Sequence, residues 1–245
     1  MINLNEICYH MHHLENTNGM RDYLYSNIDK VLNEKINKLD SKTISIYNQI
    51  DLDNFILRYP LFKVSNDFVP RLKYPEVGLW ASNYSLFKKF IGTNYNYLMV
   101  FEDDIEVYDN IIDLLNKYIK ELPLNWECFC LFQPDSPIGD KGYNYIPDIY
   151  KTNSRHIWYA HQTWSTGGLL LTRNAVNKLI KYVEVDGINL PIDLLIFKIN
   201  NMNVPIPYGS GKLLSTYSLA RYEQRMSGLV DIDSQIQNGK TIDKY

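Results

Sequence analysis

No stretch of this 245-residue chain approaches the ~20 consecutive apolar residues needed to cross a bilayer. The opening Met1-Ile2-Asn3-Leu4-Asn5-Glu6 has no basic segment followed by an apolar one, so no signal peptide and a cytoplasmic location are expected. Cysteine is scarce. Cys8, Cys128 and Cys130 make an odd count, two of them alternating in an expected strand, which points to reduced, structural thiols. No second Cys/His pair stands at the spacing of a zinc site. A net charge of −3 offers no basic footprint for nucleic acid or an anionic membrane. Internal repeats, coiled-coil heptads and basic low-complexity runs are absent as well. Tyrosine is what the chain has in excess, with 20 residues. With many Asn, Ile and Lys residues these fit an AT-rich coding genome, and equally a wet site lined by rings that pair an apolar face with a hydroxyl.

Read for periodicity, the chain alternates strands and helices. Ile7 to His12 is an expected strand, and Met20, Tyr23, Leu24, Ile28, Val31 and Leu32 mark one face of a helix. Thr43 to Tyr47 and Phe62 to Val64 read as short strands, with a short helix from Asp51 between them. Pro75 suits the first turn of a helix over Glu76 to Ile91, ended by Gly92. After Tyr97 to Asp104 comes a helix carrying Ile111, Ile112, Leu115, Tyr118, Ile119 and Leu122, stopped by Pro123, and then a buried strand from Cys128 to Phe132. Gln133 to Trp164 has no pattern, and a loop of that length is usually functional. An apolar Gly168 to Leu171, a helix capped by Thr172, a helix from Ile192 to Ile199 after Pro191 and an extended Val204 to Pro207 follow. The alternation predicts one α/β domain over 1–245 with a mostly parallel sheet covered on both faces. Residues 209–245 are expected to wrap that domain as a polar extension or stay partly mobile.

The most informative segment is Tyr97-Leu98-Met99-Val100-Phe101-Glu102-Asp103-Asp104. Its apolar run reads as a strand buried on both faces, so three acids emerge together from the core. Two unit charges ~4 Å apart repel by roughly 4 kcal/mol at an effective dielectric near 20. A divalent cation neutralises such a cluster, and hard cations held by one or two carboxylates complete their shell with substrate phosphates. The plain alternative is an acidic turn capping the next helix. In a parallel sheet, ligands bind beyond the carboxyl ends of the strands, where these acids would lie.

Four segments in one order carry a resemblance. They are Glu76-Val77-Gly78-Leu79-Trp80-Ala81-Ser82-Asn83, Leu98 to Asp104, Ser165-Thr166-Gly167-Gly168-Leu169-Leu170-Leu171-Thr172-Arg173-Asn174-Ala175, and Pro191-Ile192-Asp193. Together they resemble the family 25 glycosyltransferases, the group of lipopolysaccharide and procollagen galactosyltransferases. The chain departs from that family where Pro75 replaces a usual Gly and Asn83 a usual His, and where Cys8 to His13 replaces an Arg-rich opening strand end.

The resemblance implies a GT-A-like fold and transfer of a hexose, galactose or glucose, from a UDP-sugar to a hydroxyl on a glycan or protein, with inversion and with Mn²⁺ or Mg²⁺. Asp104 is then the first choice for the metal ligand, with Glu102 on the ribose or on the metal shell. Asp103 counts with the donor-binding acids, although strand alternation turns its side chain the other way, where a structural role is the alternative. Asp193 is the candidate base for the acceptor hydroxyl; an acid after Pro191 in a first helical turn also suits the helix dipole. Gly167 and Gly168 would let the backbone approach the sugar. Arg21 and Arg225 are the candidates for the diphosphate. His156, Trp158, His161 and Trp164 suit sugar stacking. His10 and His12 share one strand face, at a spacing that permits a metal, although a buried or nucleotide-facing strand is the preferred reading. A catalytically inactive nucleotide-sugar or glycan-binding module is the competing reading. A Mg²⁺-dependent phosphatase fits poorly, because Glu102 to Glu106 lacks the required Asp-x-Asp pair.

Overall fold

The computed structural model describes residues 3–13, 19–65, 72–103, 105–107, 110–122, 124–131, 149–151, 157–160, 167–199, 202–205 and 215–218. In chain order the elements are β1 (Ile7–His12), α1 (Gly19–Leu32), β2 (Asn37–Lys38), α2 (Gln49–Arg58), α3 (Tyr74–Ile91), β3 (Tyr97–Glu102), β4 (Ile105–Val107) and α4 (Ile111–Ile119). They continue with β5 (Cys128–Cys130), β6 (Ile149–Lys151), β7 (Ile157–Ala160), β8 (Gly168–Thr172), α5 (Arg173–Val185), α6 (Ile192–Ile199), β9 (Met202–Pro205) and β10 (Ser215–Ser218).

Eight strands form one sheet in the order β2-β1-β3-β8-β5-β9-β7-β6, and β10 pairs with β4 in a second, two-stranded one. In the large sheet β2, β1, β3, β5, β9 and β6 share one direction, while β8 and β7 oppose it. The expected mostly parallel α/β architecture is therefore present, with β8 as an antiparallel insertion at its centre. Period-two alternation splits the core between the two faces. Cys8, Leu98, Val100, Leu169 and Leu171 face α3, α5 and α6, whereas Ile7, Tyr9, Met99, Phe101 and Leu170 face α1 and α4. β3 is apolar from Tyr97 to Phe101 and was legible as an uninterrupted run, whereas β1 interrupts its run with His10 and His12.

Several elements differ from the sequence expectation. Thr43 to Tyr47 forms no strand, because α3 takes its polar groups: the Ile44 N–H donates to Ser82 Oγ at 2.7 Å, and the Ser82 hydroxyl lies 3.2 Å from the Ile44 carbonyl. Gly78 makes that approach feasible, since a Cβ there would stand 3.1 Å from both the Ile44 oxygen and the Ile46 nitrogen. Phe62 to Val64 supplies only a single bridge, Val64 to Ile188. Within the expected loop Gln133 to Trp164, β6 and β7 pair as an antiparallel edge of the main sheet. The tail contributes β10, which runs antiparallel to β4.

Candidate active site

The connections decide which side chains meet. α3 leads into β3, so its C-terminus lies at the amino edge of the sheet and its N-terminus at the carboxyl edge. α6 leads into β9, which is parallel to β5, and its N-terminus takes the same side. The carboxyl ends of β1 and β3 are adjacent, with His12 opposite Glu102. His12, His13, Glu102, Asp103 and the N-terminal turns of α3 and α6 therefore share one edge of the sheet.

The acid turn is built into this edge. Glu102 is half-buried and, two residues on from Val100, faces the α3 side; its N–H donates to the Gly167 carbonyl at 3.1 Å. Asp103 is buried and turned away, as alternation requires. Its Oδ2 accepts from Nδ1 of His13 at 2.8 Å, and Nε2 of the same ring lies 3.2 Å from Oδ1 of Asp22 on α1. The His13 N–H donates to Thr43 Oγ1 at 3.0 Å, and its ring lies against Tyr25 with centroids 4.5 Å apart. A buried carboxylate is costly unless hydrogen-bonded, and His13 supplies one partner.

On the other side of β1, His10 and His12 point toward α3 with ring centroids 4.8 Å apart, edge to face. His10 Nδ1 pairs with the Leu39 carbonyl at 3.0 Å, but His10 Nε2 and both His12 ring nitrogens are buried without a hydrogen-bond partner. Burial, with the neighbouring His12, pushes the His10 ring down to about 3, and burial pushes His12 down to about 4. Asn83 opposes the His12 shift from close by, although neither ring nitrogen reaches hydrogen-bond geometry with it. The Asn83 amide N–H₂ donates to the Leu79 carbonyl of its own helix. Both imidazoles are thus neutral near pH 7.

Asp193 is half-buried in the first turn of α6, and its Oδ1 accepts from the Leu194 N–H at 2.9 Å. Its charge is felt at Glu76 in the first turn of α3. Burial raises the Glu76 carboxyl and Asp193 adds to that rise, against the Lys73 N–H and charge. Glu76 and Asn83 are seven residues apart on α3, roughly 10 Å at 1.5 Å per residue. The Glu76–Asp193 pair therefore stands about two helical turns beyond the level of His12, further out past the sheet edge. Trp80 fastens this side, its indole N–H donating to the Leu190 carbonyl at 2.8 Å just before Pro191.

Gly168 turns its bare Cα inward, where a Cβ would meet Leu131 at 3.3 Å and the Phe101 ring at 3.4 Å. Arg21 lies in α1, but its side chain is outside the described set. Asp104, His156, His161, Trp164 and Arg225 lie outside the described residues, as does the side chain of Trp158 in β7. Among the described residues no group of three or more His, Cys, Asp or Glu side chains is placed to hold a metal ion. The bonds from His13 to Asp103 and Asp22, and the approach of Glu76 to Asp193, were missed from sequence. The signal was available for the first: His13 directly follows a strand parallel and adjacent to the acid-tipped one.

The family described as glycosyltransferase family 25 (LPS biosynthesis protein) matches residues 24–196, more than half of the chain. The chain belongs to glycosyltransferase family 25. The matched region of this glycosyltransferase holds Glu102, Asp103, Gly167, Gly168 and Asp193, and leaves out His12, His13, Arg21 and Arg225. No curated protein sequence matches the chain. Among solved structures, A197 from STIV is similar at 9% identity and a TM-score of 0.40, covering 82% of both chains. A mutant of Drosophila β1,4-galactosyltransferase 7 in complex with manganese, UDP-Gal and xylobiose is similar at 11% identity and a TM-score of 0.41. That likeness covers 98% of this chain and 81% of the other. Neither is close enough to carry a role to a residue here. Among the described residues no helix of this glycosyltransferase is long and apolar enough to cross a membrane.

Proposed function

We propose that this glycosyltransferase moves a hexose, galactose or glucose, from a UDP-sugar to a hydroxyl of a glycan or protein, with inversion and with Mn²⁺ or Mg²⁺ bound at the acid turn. The observation that supports this reading most is the position of Glu102 and Asp103 at the carboxyl end of β3, beside the end of β1 and joined to Gly167. Carboxylate oxygens at a strand end suit a hard cation, which needs only one or two of them when substrate phosphates complete its shell. Asp104 and Glu102 would hold it, and when bound it would stabilise charge developing on the departing diphosphate.

The chain's own residues do the rest. The strand ends orient the diphosphate side, with Arg21 and Arg225 as the candidates to pair with it. Asp193 takes the proton of the acceptor hydroxyl as its oxygen attacks the anomeric carbon. The bond to the UDP oxygen breaks from the opposite face, so one displacement inverts the centre. Its separation from the His12 level by about two turns of α3 leaves room for a sugar between acid turn and base. Glu76 lies close enough that burial and the Asp193 charge both raise its carboxyl.

Thermal unfolding in the presence of UDP-galactose, UDP-glucose, GDP-mannose or CMP-sialic acid, each with and without Mn²⁺, tests the donor. A ligand at 100 times its Kd stabilises by roughly 2.7 kcal/mol. Stabilisation by a UDP-hexose that needs Mn²⁺, together with UDP release when acceptor is added, is expected. Stabilisation without any UDP release across acceptors would favour the inactive binding module.

A further inference from the structure

His10 and His12 face α3 from β1, 2% and 5% exposed, with ring centroids 4.8 Å apart and edge to face. The Leu39 carbonyl can only accept, so His10 Nδ1 carries the proton in their 3.0 Å bond and His10 Nε2 is left with a bare lone pair. That nitrogen is buried and meets no hydrogen-bond partner. A neutral His12 ring adds one more lone pair and one N–H, and neither of its nitrogens is matched either. The two rings do not hydrogen-bond to each other. We propose that His10 and His12 form a zinc-binding site separate from the acid turn, in which His10 Nε2 and one His12 ring nitrogen hold a Zn²⁺ between β1 and α3.

Lone pairs buried without a donor are costly, and a Lewis acid satisfies them where no N–H or O–H is at hand. Imidazole suits zinc and its neighbours among the transition metals, whereas carboxylate and carbonyl oxygens suit Mg²⁺ and Mn²⁺. The histidine pair and the acid turn therefore sort cations by ligand softness. Residues i and i+2 of a strand share one face, which puts both rings on the same side of β1. His10 also makes the outer bond that metal-ligating histidines almost always make, its other N–H donated to a backbone carbonyl. Burial keeps both rings unprotonated at neutral pH, so no proton competes with the ion. An open zinc site uses three protein ligands and completes its shell with water or substrate. Asn83 commits its amide N–H₂ to the Leu79 carbonyl, which leaves its oxygen as the third donor for an ion at His12. The site needs no cysteine and is independent of any cation at the acid turn.

Calorimetric titration of the full chain with Zn²⁺, in excess Mg²⁺ to fill carboxylate sites, tests this directly. The parent chain should take up one Zn²⁺. His10→Gln and His12→Gln should each raise its Kd by at least the ~10–100-fold that losing an outer partner alone costs. His13→Gln should bind as the parent does, since the His13 ring packs on Tyr25 of α1 instead. Should His10→Gln or His12→Gln fail to fold, ¹⁵N spectra of the histidine-labelled parent replace it. Zn²⁺ should then move the signals of His10 Nε2 and one His12 nitrogen and leave those of His13 in place. A parent that binds no Zn²⁺ under excess Mg²⁺ overturns the site. So does an unchanged Kd in His10→Gln or His12→Gln, an equal loss in His13→Gln, or a Zn²⁺ shift confined to other histidines.

Discussion

The indole N–H of Trp80 donates to the Leu190 carbonyl at 2.8 Å, across 110 positions of sequence. Trp80 is completely buried on α3, and Leu190 directly precedes the Pro191 that starts α6. One hydrogen bond thus ties the helix that carries Glu76 and Asn83 to the turn that carries Asp193. The carbonyl cannot turn to water without moving the first residues of α6.

Trp80→Phe should therefore cost both stability and alignment. Losing a hydrogen bond of this kind costs about 0.5–1.5 kcal/mol, and the smaller ring leaves a gap in the core that adds to this. Urea unfolding should show the lower midpoint. Turnover should fall more than donor affinity does, because Asp193 shifts relative to the acid turn. A midpoint within a few tenths of a kilocalorie per mole of the parent, with turnover unchanged, would mean that the Leu190 carbonyl finds another donor.

The buried pair on β1 makes stability depend on pH. His10 and His12 are pushed down to about 3 and about 4, against 6.5 for a free imidazole. Both rings bind fewer protons folded than unfolded, so their contribution is complete above about pH 6.5 and is lost as pH falls toward 4 and 3. The slope for two such rings approaches about 2.7 kcal/mol per pH unit at its steepest. Most carboxylates titrate below pH 5, so unfolding measured between pH 6.5 and 5 isolates the imidazoles. His12→Leu should flatten the curve in that window. A wild-type curve already flat there would show that the rings gain protons without unfolding the chain.

What could be read ahead of the structure was whatever a local period specifies. β1, α3 and β3 stand close to where apolar runs and the Pro75 and Gly92 boundaries put them, because each carries a run or face of buried residues. β4 was not legible: its partner β10 begins more than a hundred residues later, and three residues after an acidic turn carry no period of their own. Thr43 to Tyr47 has a strand's composition, but a serine on α3 satisfies the backbone that a neighbouring strand would have paired. The acid turn was legible as chemistry, whereas its anchor was not. His13 and Asp103 are ninety positions apart, and only the adjacency of β1 and β3 brings them together.

Gly168 offers a test that separates packing from sugar contact. A Cβ at this position presses on Leu131 and Phe101 at 3.3 and 3.4 Å, inside the core. Gly168→Ala should lower stability by about 1 kcal/mol through overpacking, with donor affinity nearly unchanged. Loss of donor affinity at full stability would instead place the sugar against this backbone.

Asp193 and Glu76 can be told apart by what each variant leaves intact. Asp193 accepts the Leu194 N–H at the start of α6, so Asp193→Asn retains an oxygen for that bond and should cost little stability. As the base for the acceptor hydroxyl, it should lower turnover ~10²–10⁴-fold while Mn²⁺-dependent donor binding persists. Glu76 accepts the Lys73 N–H at 2.6 Å and acts on Asp193 only through its charge. Glu76→Gln keeps the helix start and removes that charge. Turnover should then drop by less than in Asp193→Asn. If Asp193→Asn leaves turnover intact and lowers the unfolding midpoint by about a kilocalorie per mole, Asp193 serves the helix start and the base is another residue.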